Sequence, residues 1–194
     1  MLKTVLLIFV TLAVAIGGGA GSVWYALEAS RGVGSVTIGQ WVTFPDFGTP
    51  QADPYSRARF AREGGLSLGQ AEGIAFTTNR DTAGALLRAD CRYQLTGAVP
   101  PSRFWTVYAT NAAGRLLPPV GRLQPALQSR ELVRLGDGPA TVEIGPQPVP
   151  GNWLPISGSG PIRLVLTVFD TPISGDAGVI DIRLPQVVRR GCDD

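Results

Sequence analysis

The chain has 194 residues, 25 of them glycine and 16 proline; hydrophobic residues make up 44% and charged residues 16%. So many breakers argue against a helical bundle, and the apolar fraction with little charge argues against a disordered chain. A net charge of +2, with no basic run longer than Arg189-Arg190, argues against a nucleic-acid partner.

The residues that are missing narrow the chemistry. Histidine is absent and Lys3 is the only lysine, so the basic residues beyond it are all arginine, which holds its proton and makes a poor acid or base. A Ser-His-Asp triad, Cys-His catalysis and a Schiff-base lysine are impossible. Histidine-ligated zinc is excluded, and two cysteines are too few for a Cys₄ site. No metal and no cofactor are expected. Any catalysis would run on carboxylates or on a hard metal bound by oxygen, and the reading leans towards a protein that is not an enzyme.

From Thr4 to Leu27 no residue carries a formal charge. As a helix this stretch would reach about 36 Å, against roughly 30 Å of bilayer hydrocarbon. Lys3 precedes it, and Trp24-Tyr25 fall where interfacial aromatics are expected. Residues 1–30 therefore read as a transmembrane anchor in the inner membrane through residues 4–27, amino terminus inside and carboxyl-terminal domain in the periplasm. A cleaved signal peptide with Gly19-Ala20-Gly21 as its small-residue site is the rival reading. Either way the rest is exported, and Cys91 and Cys192 become an even complement in an oxidising compartment. One disulfide is the natural pairing; two buried free thiols are the alternative.

Residues 31–52 read as a linker with one short strand near Val36–Val42, and residues 53–194 as a single domain. Asp53-Pro54 is a helix start and Gly64-Gly65 a stop, predicting a short helix over Pro54–Glu63 with Tyr55, Ala58, Ala61 and Phe60 on the core side. Strands are predicted at Ile74–Thr78, at Ala89–Leu95 by strict alternation, and at Phe104–Ala109 with Trp105 and Val107 on one face. Asn111–Gly114 reads as a turn and Arg115–Leu117 as the start of the returning strand. Later strands are expected at Thr141–Ile144, Ile162–Phe169 and Val179–Leu184, while Leu123–Arg134 stays ambiguous, a helical turn between strands being one option. About eight short strands with Pro/Gly punctuation predict a mainly β domain, an antiparallel β-sandwich of jelly-roll type.

Four motifs occur in order: Asp53-Pro54-Tyr55-Ser56-Arg57-Ala58-Arg59, Leu68-Gly69-Gln70-Ala71-Glu72-Gly73, Pro100-Pro101-Ser102-Arg103-Phe104-Trp105-Thr106 and Pro150-Gly151-Asn152-Trp153-Leu154-Pro155. On them the chain, from about 40 to 192, resembles the bacterial domain of unknown function 1214 family, often the carboxyl-terminal part of longer envelope proteins. The resemblance implies a jelly-roll β-sandwich and no established reaction.

Candidate ligand groups are Arg103 after the Pro100-Pro101 break, Asn152 and Trp153 between prolines, and Glu72 among small residues before a strand. Each has a bland counterpart: a strand-start ion pair, a turn-fixing amide, a buried indole, a solvated carboxylate. The leading expectation is a membrane-anchored, non-catalytic binding or accessory module whose partner is an envelope glycan or protein. The alternative is a carboxylate-dependent hydrolase of envelope glycans or glycopeptides, requiring two of Glu72, Asp90, Glu143 and Asp181 to meet beside an exposed aromatic such as Trp41 or Trp153. Asp170, before Thr171-Pro172, reads as an ordinary turn residue.

Overall fold

The computed structural model describes residues 2–29, 32, 34–63, 68, 72–134, 140–172 and 182–192. The first element, α1 (Leu2–Ala29), contains an apolar stretch, Leu2–Ala26, long enough to cross a membrane. Its large side chains, from Leu2 to Tyr25, are exposed rather than packed on the body, as a helix surrounded by lipid requires.

Two short strands follow, β1 (Val36–Ile38) and β2 (Trp41–Thr43), then α2 (Pro54–Glu63) and β3 (Gly73–Thr78). The one strand expected near Val36–Val42 is thus a hairpin. Gly39, at φ 60, makes the turn that splits it. This segment, read as a linker, supplies two strands at the edge of the larger sheet. Next come β4 (Cys91–Thr96), β5 (Phe104–Asn111), β6 (Ala126–Gln128), β7 (Val142–Gly145), β8 (Trp153–Pro155), β9 (Ile162–Phe169) and β10 (Gln186–Cys192).

The strands form two sheets, one ordered β1-β2-β3-β9-β5-β6 and the other β10-β4-β7-β8. Both contribute to one core, with Ile74, Phe76, Trp105, Val107, Leu164 and Leu166 from the first and Tyr93, Leu95, Ile144, Leu154 and Val187 from the second. The alternation read in β4 holds, since Cys91, Tyr93 and Leu95 are buried, and Trp105 and Val107 share the inner face of β5 as expected. All strand pairs are antiparallel except β7–β8, which run parallel. Strands of only four and three residues make this feasible, because the connecting segment 146–152 need climb back only about 10 Å. Pro155 sits in the edge strand of that pair, where a missing N–H does least harm.

Several expectations are corrected. The α2 start is as read, with Asp53 Oδ1 accepting the N–H groups of Tyr55 (2.9 Å) and Ser56 (3.0 Å). Its buried face is not, because Tyr55, Ala58 and Ala61 are exposed and Ser56 is buried instead. Two alanines offer little area to bury, and the Phe60 side chain and Gly64-Gly65 lie outside the described residues. Arg115–Leu117 makes a single bridge, Thr110 to Leu116; the strand that pairs with β5 is β6, inside the ambiguous segment. Of Val179–Leu184, the first three residues lie outside the described set, Ile182–Leu184 is not strand, and the last strand is β10.

Cys91 and Cys192 are bonded to each other, at directly opposed positions of β4 and β10, with a sequence separation of 101. On loop-closure entropy, removing that bond in a C192S variant of the full chain should lower unfolding free energy by about 3–5 kcal/mol. Urea denaturation in mild detergent checks this; a loss under about 1 kcal/mol would show that the bond adds little to what the strands already hold. Burial raises the Tyr93 phenol above its ordinary pKa. The folded state therefore holds that proton, and its stabilising effect is complete below about pH 10 and lost as pH rises through the folded value. Denaturation midpoints across the alkaline range should fall more steeply for the native chain than for Tyr93→Phe.

Candidate functional site

The closest approach of backbones lies where β3 begins. A Cβ on Gly73 would sit 2.3 Å from the Val168 carbonyl oxygen, so only glycine lets β3 meet β9 here. Gly73, Phe169 and Phe104 then form one row across three strands, and this row draws two sequence candidates together. The Glu72 carbonyl accepts the Asp170 N–H at 3.0 Å, and the Arg103 N–H reaches the carbonyls of Phe169 (3.0 Å) and Asp170 (3.3 Å). Asp170 takes a left-handed φ of 50 to make the turn, which Asp tolerates better than most residues. Above the row, the Phe104 and Phe169 rings stack at 4.4 Å, and the Arg130 guanidinium lies over Phe104 at 5.8 Å. The Arg103 guanidinium is 3.6 Å from the Asp170 carboxylate, with side-chain exposures of 72% and 69%. So open a pair contributes little to stability and leaves both charges available to a ligand.

Asn152 and Trp153 lie on the other sheet. The Asn152 Oδ1 accepts the Val133 N–H (2.7 Å), and its Nδ2 donates to the carbonyls of Val133 (2.8 Å) and Thr141 (2.9 Å). The amide thus ties two connecting segments to β8. Half-buried Trp153 donates its indole N–H to the Gly145 carbonyl at 3.0 Å, which pins the ring across the β7–β8 pair. The two groups of candidates communicate through the stretch after β6. Ser129 bonds Trp105 on β5 through its N–H (2.9 Å) and its hydroxyl (3.1 Å), Arg130 covers Phe104, and Val133 reaches Asn152. The stacked phenylalanines and Arg130 were missed in the sequence, because a contact between β5 and β9 has no local period to betray it.

Glu72 and Asp90 are placed at opposite ends of β9. Asp90 is gripped by both guanidinium branches of Arg88, which holds its carboxyl below the usual carboxylate range. Arg88 bridges to Pro161 at the start of β9, whereas Glu72 bonds Asp170 past its end. The nine residue steps from Pro161 to Asp170 put the backbones of Arg88 and Glu72 about 30 Å apart along β9, against the roughly 5–9 Å that paired glycosidase carboxyls need. Glu143 accepts a hydrogen bond from Gln94 (2.6 Å), which also meets Arg190, on the outer face of the smaller sheet. Asp181 lies outside the described residues. Trp41, named as an aromatic platform, is buried, its Nε1 donating to the Pro185 carbonyl at 2.7 Å. Burial of a large ring in the core, with its N–H satisfied, won over exposure. Concavities beside α2, of about 70 and 240 Å³, are lined by Phe47, Ala52 and Ser56 among others and by none of these candidates.

Two packed sheets with an apolar amino-terminal helix and no group of three or more metal-binding side chains among the described residues set the class of protein. Residues 72–173 match the family described as Protein of unknown function (DUF1214), and the chain belongs to that family. Among solved structures it is similar to the VPA0106 protein from Vibrio parahaemolyticus, at 16% identity and a TM-score of 0.57, over 72% of this chain and 36% of that one. It is also similar to an uncharacterized protein from Burkholderia cenocepacia, at 17% identity and a TM-score of 0.40, over 75% of this chain and 44% of that one. The chain thus spans less than half the length of either. No curated protein matches it.

The geometry separates a structural amide from an open charge. Asn152→Ala should lower stability by about 1–3 kcal/mol, since it strips three hydrogen bonds. Arg103→Ala should cost under about 1 kcal/mol. Parallel urea titrations check both, and a reversed order would contradict this division of roles.

Proposed function

We propose that the chain is a membrane-anchored, non-catalytic binding or accessory module of the bacterial cell envelope, held by α1 in the inner membrane with its β domain in the periplasm. One observation carries the reading most directly: a disulfide between Cys91 and Cys192 lies downstream of an apolar helix with membrane-spanning length. Such bonds persist in oxidising compartments, and export after a single anchor supplies one. The two sheets sharing one core support the further reading of a jelly-roll sandwich.

The ligand side of this proposal is the corner where Arg103, Glu72 and the Phe104–Phe169 stack meet. It offers an exposed guanidinium in an open ion pair with Asp170, a further carboxylate and an aromatic surface, which suits reversible recognition of an envelope glycan or a protein. Trp153 extends the same side through residues 129–134, and Asn152 sets its position. The Glu72 to Asp90 separation favours binding over glycoside hydrolysis.

The test joins topology and turnover. A carboxyl-terminal reporter that matures only in an oxidising compartment should be active on the full chain, and one that fluoresces only in the cytoplasm should stay dark. Purified full chain should not turn over envelope glycans or glycopeptides. Reproducible turnover abolished by Glu72→Gln, Asp90→Asn, Glu143→Gln or Asp181→Asn would overturn the non-catalytic reading.

A further inference from the structure

The connection between β5 and β6 repeats a tripeptide: Gly114-Arg115-Leu116 and Gly121-Arg122-Leu123. Both glycines have positive φ, 78 and 62, and face open space. Each is followed by an exposed arginine and an exposed leucine, with Leu116 at 49% and Leu123 at 52%.

The segment that carries them is tightly tied. Asn111 Oδ1 accepts the N–H groups of Ala113 and Arg115, both at 3.0 Å. Val120 and Leu123 exchange backbone bonds at 2.9 and 3.1 Å. Ala109 grips both feet, its N–H on the Pro125 carbonyl and its carbonyl on the Leu117 N–H. The Ser157 hydroxyl donates to the Pro118 carbonyl at 2.8 Å. Pro118-Pro119 stiffen the path further. Two leucines held in water on a constrained frame cost hydrophobic free energy with no internal return, yet would lose little entropy on docking.

The charge around them is one-sided. The connection over residues 111–128 carries Arg115 and Arg122 and no acidic residue. Arg163, at the same end of β9, turns its guanidinium to the Ala112 carbonyl (3.2 Å). Leu86, also exposed, flanks the other side of that end, where the Leu87 carbonyl accepts the Ile162 N–H. Neighbouring Asp81 is buried against Arg189, and Asp90 is held by Arg88.

The topology sets which way this tip faces. β1 runs from α1 towards it, β2 returns, and α2, which approaches α1, leads back to the start of β3 at the opposite end. The tip therefore lies at the end of the sheet opposite the one where the chain enters from α1, which favours a protein occupant over the lipid surface around that helix. A second copy would oppose arginine with arginine, and a polysaccharide offers no apolar seat for leucines.

We propose that the twin Gly-Arg-Leu turns form a docking tip for an acidic partner protein that gives carboxylates to Arg115 and Arg122 and an apolar pocket to Leu116 and Leu123. The proposal deepens the accessory reading above and rests on it. The test places a photocrosslinking amino acid at Leu123, and at Gln186 on β10 as a control, in the full chain in its native membranes. A discrete protein adduct should form from position 123 only, and mass spectrometry should identify a protein with net negative charge. Its yield should fall about tenfold in the Arg115→Glu, Arg122→Glu double variant and with salt, but not in Arg92→Glu. No adduct from a folded, exported chain would overturn the tip alone, as would a lipid, a glycan, a second copy, or an adduct indifferent to charge reversal. A chain whose reporter matures in the cytoplasm would overturn both readings together.

Discussion

The carboxyl-terminal strand is the part of this fold with the least intrinsic claim to its place, and three ties hold it there. β10 is an edge strand of mixed character, Gln186-Val187-Val188-Arg189-Arg190-Gly191-Cys192, with only Val187 fully in the core. Its end is bonded covalently to β4 through Cys192 and Cys91. In its middle, Arg189 Nε lies 2.9 Å from the buried Asp81 carboxylate, its Nη2 donates to the Leu86 carbonyl at 2.6 Å, and its guanidinium covers the Tyr93 ring. Just before the strand, the Trp41 indole holds the Pro185 carbonyl. Breaking the buried pair would leave a charge without its partner in a poorly solvated place, which costs far more than the intact pair contributes.

Those ties do more than close a sheet. Trp41 belongs to β2 of the larger sheet and Asp81 to the connection that leaves β3, so each ties the smaller sheet's last strand, or the residue before it, to the other layer. The Asp81 carboxylate also accepts the N–H groups of Ala83 and Ala85, shaping the loop that presents Leu86. Strand β9, buried along most of its length, fixes the separation between two surfaces. The Arg103 and Phe104–Phe169 corner lies at its end, and the Gly-Arg-Leu tip at its beginning. A β body with two separate exposed patches supports the proposed reading of a binding module.

Much of the architecture was legible because its period is local. The alternation in Cys91–Leu95, the Asp53-Pro54 cap and the apolar run from Ile162 to Phe169 each express burial within a few residues. The errors came where long-range packing decides. β8 has no signal among the expected strands, since it is three residues long and ends in Pro155, which a parallel edge strand tolerates. Trp41, a candidate exposed platform from sequence, is buried in the shared core, and its indole finds its acceptor at Pro185, far along the chain. The grouping of Glu72 with Arg103 was not readable at all, since it depends on Gly73 letting β3 approach β9. The Cys91–Cys192 pairing was readable because only two cysteines exist.

The central claim is that this is an exported fold whose last strand is locked by an oxidised cysteine pair. The most direct measurement is thiol trapping of the full chain in intact cells, by acid quenching and alkylation with a mass-shifting reagent before and after reduction. The account predicts no modification of Cys91 or Cys192 until reduction, and two additions afterwards. Immediate addition to both cysteines in unreduced cells would contradict it, placing the domain in a reducing compartment and removing the tie on which β10 depends.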